Sequence, residues 1–246
     1  MEKKAVLITG GAIRVGRALA LSLAKKGYDI AIHYNSSKKP AQSLAKEITK
    51  EFSKVRVEIF QADLSKSNTS EKLINAVFKK FPHLTVLINN ASIFEPENFL
   101  QVTQKSFDAN YNINLKAPFF LSQLFAKRVL KNNDTKNYNI INLLDSFITR
   151  TSEKYFVYLL TKKNLSDLTK MLARSLAPKI RVNGICLGIT ELSQKNSDAY
   201  LEKRIASLPK KQKVKLEELA NTLNQILENQ ALIGNLLFVD NGEQLV

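Results

Sequence analysis

Tyr158 and Lys162 lie four residues apart in a stretch whose apolar residues recur with helical spacing. A helix would therefore place both side chains on one face. A phenol has an ordinary pKa near ~10, and a neighbouring ammonium lowers it, so such a pair could move a proton near neutral pH. The chain contains 37 lysine and arginine residues. Taken alone, a Tyr–Lys pair in such a chain is more typical of a helix surface than of a catalytic site.

Two further polar residues change that estimate. Asp145 follows an apolar, strand-like run and precedes Tyr158 by 13 residues, and Asn114 lies in an earlier helical pattern. In sheets covered by helices on both faces, ligands bind at the C-terminal ends of the strands. Asp145 would stand at such an end. The predicted catalytic residues are Asn114, Asp145, Tyr158 and Lys162.

A glycine-containing turn, Thr9 to Gly16, joins the first apolar run to a helical pattern. Backbone N–H groups at such a turn, together with the helix N-terminus, bind anions. Glycine is needed where the chain turns sharply or approaches a pyrophosphate closely. Arg14 stands where a glycine is expected, and its guanidinium could bind a phosphate. An ordinary strand-to-helix turn is the alternative.

The end of the second predicted strand indicates which nicotinamide cofactor would bind. An NAD-binding chain places Asp or Glu there, roughly 20 residues past the turn. This chain has the run His33-Tyr34-Asn35-Ser36-Ser37 and no acidic residue until Glu47. A 2′-phosphate would meet no repulsion, so the run favours NADP(H) over NAD(H). A polar loop without a binding role is the alternative.

Short apolar runs alternate with longer helical patterns along the whole chain. The predicted strands are 5–8, 30–32, 55–60, 85–89, 138–144, 180–185 and 236–239, and the predicted helices are 15–26, 40–52, 69–81, 106–131 and 154–177. Continuous apolar strands are buried on both faces, as in parallel sheets. We therefore predict an α/β fold: one Rossmann-like, doubly wound domain over 1–246 with a parallel seven-stranded sheet. The polar segment 188–213 is predicted to be a loop insertion over the active site.

Composition restricts the class of protein further. The 246 residues include one cysteine, Cys186, and two histidines without metal-ligand spacing, which argues against a disulfide framework and a metal site. No apolar run is long enough to span a bilayer and no apolar signal segment is evident, so we expect a soluble, cytoplasmic protein. The net charge of +15 is spread over lysine pairs. A solvated lysine-rich surface is therefore favoured over a nucleic-acid footprint.

Several motifs, taken in order, resemble those of the short-chain dehydrogenases/reductases over essentially the whole chain. They are Thr9-Gly10 with Gly16, Asn89-Asn90-Ala91, Asn114, Tyr158-x-x-x-Lys162 and Val239-Asp240-Asn241-Gly242. Finer details resemble the pteridine-reductase branch, and within it the bacterial dihydromonapterin reductases. Arg14 replaces the middle glycine, Ser92-Ile93-Phe94 follows the asparagine motif, and Asp145 replaces the usual serine. The Pro-Gly that usually follows the sixth strand is Leu187-Gly188 here.

The resemblance implies reduction of a dihydropteridine by NADPH, possible substrates being dihydromonapterin and dihydrofolate. Tyr158 would donate the proton, Lys162 would lower the pKa of Tyr158 and hold the nicotinamide ribose, and Asn114 would position a water. Ser92, Phe94, Asp145 and Tyr158 would bind the substrate, with Phe94 stacked on the pterin. The expected cofactor-binding residues are Gly10, Arg14, Val15, Gly16, His33, Tyr34, Asn35, Ser36, Asp63, Leu64, Asn90, Ala91, Ser92, Tyr158, Lys162 and Gly188. A homotetramer is also implied.

Two other readings remain open. A carbonyl or 3-oxoacyl reductase of the same family would share most of these motifs, although a carboxylate at Asp145 is unfavourable beside a developing oxyanion. A non-catalytic NADPH-binding regulator, or a basic nucleic-acid binder on the same fold, would suit the charge of +15. The complete set of Asn114, Tyr158 and Lys162 argues against that reading, because a binding protein does not need it.

Overall fold

The computed structural model describes residues 3–132, 134, 136–190 and 198–246, with side chains from 201 onward in the last range. Seven parallel strands form one sheet in the order β3-β2-β1-β4-β5-β6-β7. They are β1 Ala5–Ile8, β2 Asp29–Tyr34, β3 Val57–Gln61, β4 Leu84–Asn89, β5 Tyr138–Asp145, β6 Ile180–Leu187 and β7 Leu236–Val239. The strand order reverses between β1 and β4, so their C-terminal ends flank a crevice.

Helices cover both faces of the sheet, which explains the continuous apolar strands. They are α1 Arg14–Lys25, α2 Lys38–Glu51, α3 Thr69–Lys80, α4 Gln104–Tyr111, α5 Ala117–Val129, α6 Phe156–Leu176, α7 Asp198–Ser207 and α8 Leu216–Glu228. One core cluster joins the sheet to α1, α2 and α8, and a second joins it to α3, α5 and α6. The predicted doubly wound, seven-stranded α/β domain is therefore confirmed. Over the described ranges, no helix is both long and apolar enough to cross a membrane.

The helix predicted over 106–131 is wrong as one continuous element. A π-helical turn, Asn112–Lys116, separates α4 from α5. Apolar periodicity continues across this turn, because the chain keeps winding in the same sense, so the pattern alone does not reveal the extra residue. Such π turns occur often at functional sites, and this one contains Asn114.

The region after β6 also differs from the prediction. Within the predicted insertion 188–213, the residues from Asp198 to Ser207 form α7, while 191–197 lie outside the described residues. Helix α8 was not predicted, yet it buries Leu219, Leu223 and Ile226. Those three residues follow helical spacing, so the pattern was present in the sequence and was missed.

Candidate active site

A cavity of about 430 Å³ lies at the C-terminal edge of the sheet. Its walls come from the turns after β1, β2, β3, β4, β5 and β6, from α6 and α7, and from the C-terminal segment. Of the predicted catalytic residues, Asp145, Tyr158 and Lys162 line it directly. Asn114 lies behind this wall and contacts Ser92, which does line the cavity.

The turn after β1 is held from behind by the end of β4. The Thr9 hydroxyl accepts the N–H groups of Asn90 and Ala91 at 2.9 and 3.0 Å. The Asn90 amide donates to the carbonyls of Thr9 and Gly10 at 2.8 and 3.0 Å. Asn90 was predicted to bind the cofactor, but in the structure its side-chain amide donates both of these hydrogen bonds to the turn.

Gly16 lies where α1 meets this turn. A Cβ on Gly16 would lie 2.3 Å from the Gly10 carbonyl oxygen, so only glycine fits there.

Replacing Gly16 with alanine is expected to weaken NADPH binding at least about tenfold and to destabilise the fold by about 1–3 kcal/mol, the range for overpacking a tight site. Isothermal titration and chemical denaturation measure the two effects. The control is Gly27→Ala, because Gly27 has a φ of +83° but open space around it. That change should cost about 1 kcal/mol of stability with unchanged NADPH affinity. Equal affinities in the two variants would contradict the role of Gly16.

His33 joins the turns that follow β1 and β3. Its Nδ1 accepts the Gly10 N–H at 3.1 Å, and its Nε2 lies 3.0 Å from the Ala62 carbonyl oxygen. The imidazole is buried, and burial lowers the pKa of His33 to about 4. The neutral ring can accept from Gly10 and donate to Ala62 at once, whereas a protonated ring has no acceptor for Gly10. Both ring nitrogens of His33 therefore hold neighbouring backbone groups, and the residue stabilises the turn from Thr9 to Gly16.

This geometry predicts a pH-dependent loss of stability. Because the pKa of His33 is lower in the folded than in the unfolded chain, its contribution is fully present above about pH 6.5 and is lost as the pH falls toward 4. The loss amounts to about 3 kcal/mol. His33→Asn, whose amide oxygen can still accept from Gly10, should show a smaller loss than wild type in denaturation series between pH 7 and 4. A His33→Asn slope equal to wild type would refute the assignment.

The rim around the ends of β2 and β3 is polar. Tyr34 is buried, whereas Asn35 and Ser36 are exposed at the cavity edge. Asp63 accepts hydrogen bonds from the Ser65 hydroxyl and N–H at 2.6 and 3.0 Å, and these bonds hold the pKa of Asp63 below its usual range. Leu64 lines the same wall. Arg14 is exposed and also lines the cavity. Its φ of +51° is a left-handed conformation that favours glycine.

A short hydrogen bond joins Tyr158 to Asp145 at the wall of the cavity. The Tyr158 hydroxyl donates to Asp145 Oδ2 at 2.7 Å, and Asp145 Oδ1 accepts the Phe147 N–H at 2.8 Å. Burial, followed by the charge and hydrogen bond of Asp145, raises the pKa of Tyr158 well above its ordinary value. The phenol is therefore kept protonated, which suits a proton donor and not a phenolate base.

Lys162 was expected to lower the pKa of Tyr158, but the net shift of that pKa in the structure is upward. Lys162 Nζ donates to the Leu143 carbonyl at 2.8 Å and lies 5.7 Å from the centre of the Tyr158 ring. Burial lowers the pKa of Lys162 itself to about 8. The net upward shift of the Tyr158 pKa comes from burial of the phenol and from the carboxylate of Asp145.

Asn114 was predicted to position a water. In the structure its side-chain oxygen and nitrogen form hydrogen bonds with other residues of the protein. Its Oδ1 accepts from the Ser92 hydroxyl and the Ile93 N–H at 3.0 and 2.9 Å. Its Nδ2 lies within 3.2 Å of the Ile93 carbonyl and the Thr161 hydroxyl. The Asn114 side chain thus fixes the segment that carries Ser92 and Phe94 against α6.

Phe94 lies beside Tyr158. Its ring stacks on Tyr155 with centroids 4.3 Å apart and meets the Tyr158 ring edge-on at 4.7 Å. It is half-buried and lines the cavity. The structure therefore places an aromatic side chain next to Tyr158 in the cavity wall, and the stacking of a pterin on it stays a prediction.

Four residues that sequence reasoning did not assign also belong to the site. Thr9 fixes the turn after β1. Ser146, Arg204 and Glu243 form a hydrogen-bonded cluster in the wall of the cavity next to Asp145. The Thr-Gly motif could have revealed Thr9. No pattern links the other three, because they come from segments far apart in the chain. Gly188 lies where a Cβ would be 2.6 Å from the Asp240 Cα, so it permits close approach of the C-terminal segment.

Comparison with known proteins agrees with this architecture. The family model "short chain dehydrogenase" matches residues 4–203. The chain therefore belongs to the short-chain dehydrogenase family.

Among curated relatives, the 3-oxoacyl-(acyl-carrier-protein) reductase FabG of Staphylococcus epidermidis is 28% identical over 246 residues, covering 97% of this chain and 98% of the relative. The hydroxynaphthalene reductase-like protein Arp2 of Metarhizium brunneum is 35% identical over 122 residues, 49% of this chain and 44% of the relative.

Two solved structures resemble the whole chain. FolM alternative dihydrofolate reductase 1 from Brucella canis, complexed with NADP, has a TM-score of 0.92 at 28% identity and covers 100% of this chain and 95% of that one. The Brucella suis FolM, also with NADP, has a TM-score of 0.89 at 28% identity, with coverages of 98% and 95%.

Proposed function

We propose that the protein reduces a dihydropteridine with NADPH, with dihydromonapterin and dihydrofolate as candidate substrates. The observation that carries the proposal is the hydrogen bond from the Tyr158 hydroxyl to Asp145 at 2.7 Å. A carboxylate at this position can accept N–H groups of an aminopyrimidine ring or pass a proton toward a ring nitrogen. The protonated Tyr158 beside it is the proton source.

The residues present fit NADPH. The first turn of α1 has no acidic residue, and its N-cap Ile13 offers no side-chain cap, so a pyrophosphate there meets N–H groups and no opposing charge. At the rim, Arg14, Asn35 and Ser36 would hold the 2′-phosphate, and Lys162 would hold the nicotinamide ribose. When bound, NADPH supplies the hydride. The similarity to FolM structures complexed with NADP supports this choice.

The substrate end of the cavity suits a flat, nitrogen-rich ring. Phe94 presents an aromatic surface next to Tyr158, and π-faces of this kind stack on heteroaromatic rings. Asp145 can accept ring N–H groups from the side. Because the Tyr158 pKa is raised, its proton is retained until a basic ring nitrogen takes it.

The similarity to FabG favours a second candidate, the reduction of a 3-oxoacyl thioester. That reaction develops negative charge on the carbonyl oxygen next to the tyrosine. Asp145 would repel this charge, since its carboxylate oxygen lies 2.7 Å from the Tyr158 hydroxyl oxygen. The position of Asp145 therefore favours a dihydropteridine as the substrate, although the sequence is similar to that of a 3-oxoacyl reductase.

Arg14 gives a test of the cofactor. Arg14→Gly should lower the preference for NADPH over NADH by about 10-fold or more, because one charge-assisted phosphate contact is lost. Glycine also accepts the φ of +51° without strain, so stability should not fall. Dissociation constants for both cofactors give the ratio, and Arg17→Gly on the same helix is the control. An unchanged ratio in Arg14→Gly would count against a 2′-phosphate contact.

Rates of NADPH oxidation at 340 nm test the activity itself. Wild-type protein is assayed with dihydromonapterin, dihydrofolate and a 3-oxoacyl thioester, each with NADPH and with NADH. The proposal expects turnover of a dihydropteridine with NADPH preferred. Turnover of the thioester alone would replace it with the second candidate, and tight NADPH binding without turnover would favour a regulatory role.

We also propose a homotetramer. The outer faces of α5 and α6 expose Phe119, Phe120, Phe156, Leu160 and Met171 to solvent, and an apolar surface of this kind is typical of a subunit contact. Light scattering of the purified protein gives the mass directly.

A further inference from the structure

The buried carboxylate of Glu243, in the wall of the cavity, connects two elements that the proposed function uses. Glu243, in the C-terminal turn Glu243–Leu245, accepts the Ser146 hydroxyl at 2.9 Å through Oε2. Its Oε1 accepts from the Arg204 guanidinium at 2.5 Å. The two partners belong to different elements: Ser146 follows β5, and Arg204 lies on α7.

The Ser146 contact leads to the catalytic carboxylate. Ser146 is the next residue after Asp145 and begins the 3₁₀ turn Ser146–Thr149. Asp145 caps this turn by accepting the Phe147 N–H at 2.8 Å. A displacement of Ser146 would therefore rotate the turn and move Asp145 away from the Tyr158 hydroxyl.

The Arg204 contact leads to the helix over the cavity. Arg204 lines the cavity, and its guanidinium also lies 4.9 Å from the centre of the Phe147 ring. The C-terminal segment holds the chain after α7 as well, since the Asn241 carbonyl accepts the Lys210 N–H at 3.3 Å. The position of α7 thus depends on the segment that contains Glu243.

The Glu243 carboxylate is too buried for water to replace these two contacts. Its side chain is 4% exposed, against 24% for Arg204. Burial and the charge of Asp145 raise the pKa of Glu243, while Arg204 and Ser146 act in the opposite direction. A carboxylate in this setting requires both partners, because burying a charge without them is costly.

We propose that Glu243 is a positioning residue that couples α7 to the Asp145 turn, so that one carboxylate sets both the substrate-facing helix and the proton-donating pair. The kinetic consequences rest on the proposed function. The structural coupling does not, and it can be measured without turnover.

The two contacts of Glu243 predict different kinetic defects. Ser146→Ala removes the contact toward Asp145 and should lower kcat about 10-fold with little change in KM. Arg204→Met removes the contact toward α7 and should raise the dihydropterin KM about 10-fold with little change in kcat. Glu243→Gln should show both defects, because misplaced groups cost rate without direct contact to the reacting atoms.

A matched control is Glu228→Gln, which removes an exposed ion pair with Lys26 between α8 and α1. Its kinetic constants should equal those of wild type. If the role of Glu243 were purely structural, thermal stability would fall in all three site variants. Ser146→Ala and Arg204→Met would then show the same pattern of changes in kcat and KM.

Amide hydrogen exchange by mass spectrometry provides the readout that needs no substrate. Arg204→Met should speed exchange mostly over 201–209, because methionine can still pack on the Phe147 ring. Ser146→Ala should speed exchange mostly over 145–150, and Glu243→Gln should speed it over both segments. Equal exchange changes in both segments for each single-contact variant, or none in Glu243→Gln, would overturn the coupling. If wild type fails to turn over any dihydropterin, the proposed function fails instead, and the exchange pattern still decides the role of Glu243.

Discussion

Tyr158→Phe is expected to lower dihydropterin-dependent NADPH oxidation by about 10²–10⁴-fold, the range for loss of a general acid. The Tyr158 hydroxyl is the proton donor nearest to Asp145 among the described residues, and its raised pKa keeps the proton available at neutral pH. Phenylalanine retains the ring and its edge contact with Phe94, so the shape of the cavity is preserved. Single-turnover kinetics at 340 nm would measure the chemical step.

Cofactor binding provides the internal control for this variant. NADPH affinity should change by less than about threefold, since the hydroxyl is one of many contacts. Tyr155→Phe is the matched control, because Tyr155 stacks on Phe94 but does not bond to Asp145. Comparable turnover in wild type and Tyr158→Phe would show that another group delivers the proton.

Asp145→Asn is expected to lower dihydropterin kcat/KM by about 100-fold, as a charged hydrogen bond made in the transition state is lost. The asparagine oxygen can still accept from the Phe147 N–H, so the turn should persist. The negative charge that raises the pKa of Tyr158 is removed, so the alkaline limb of kcat should move to lower pH. A pH series of kcat for wild type and variant measures both effects.

Asp145→Ser separates the two candidate reactions. Serine is the residue that most relatives are expected to have here, and it places no charge beside a developing oxyanion. Dihydropterin reduction should fall as in Asp145→Asn, while reduction of a 3-oxoacyl thioester should rise above the wild-type rate. Unchanged dihydropterin rates in both variants would contradict the role given to Asp145.

The fold was predictable to the extent that burial dictates sequence. The central strands were located because parallel strands covered on both faces are largely apolar, as in Val86–Ile88. The edge strands β3 and β7 are only partly buried, and they were located from their short apolar runs. The π turn at Asn112–Lys116 was not predictable, because a single π turn adds only one residue to the helix and a short apolar pattern does not resolve that shift. Helix α8 should have been predicted, because Leu219, Leu223 and Ile226 follow helical spacing.

The site was predictable where neighbouring residues on one element carry the chemistry. Tyr158 and Lys162 share a face of α6, and Asp145 ends β5, so local spacing places all three at the cavity. The direction of the Tyr158 pKa shift was not predictable, because it depends on how burial compares with the charges around the hydroxyl. Glu243 was missed because its partners, Ser146 and Arg204, are 97 and 39 residues away in sequence.

Transfer of deuterium from labelled NADPH tests the central claim most directly. Wild-type protein is incubated with dihydromonapterin and NADPH carrying deuterium at both positions of the nicotinamide C4, and the product is weighed by mass spectrometry. The account predicts a tetrahydropterin that has gained one deuterium on carbon, with no label transferred to a 3-oxoacyl thioester in a parallel reaction. An unlabelled or absent tetrahydropterin, together with a labelled hydroxyacyl thioester, would contradict the assignment.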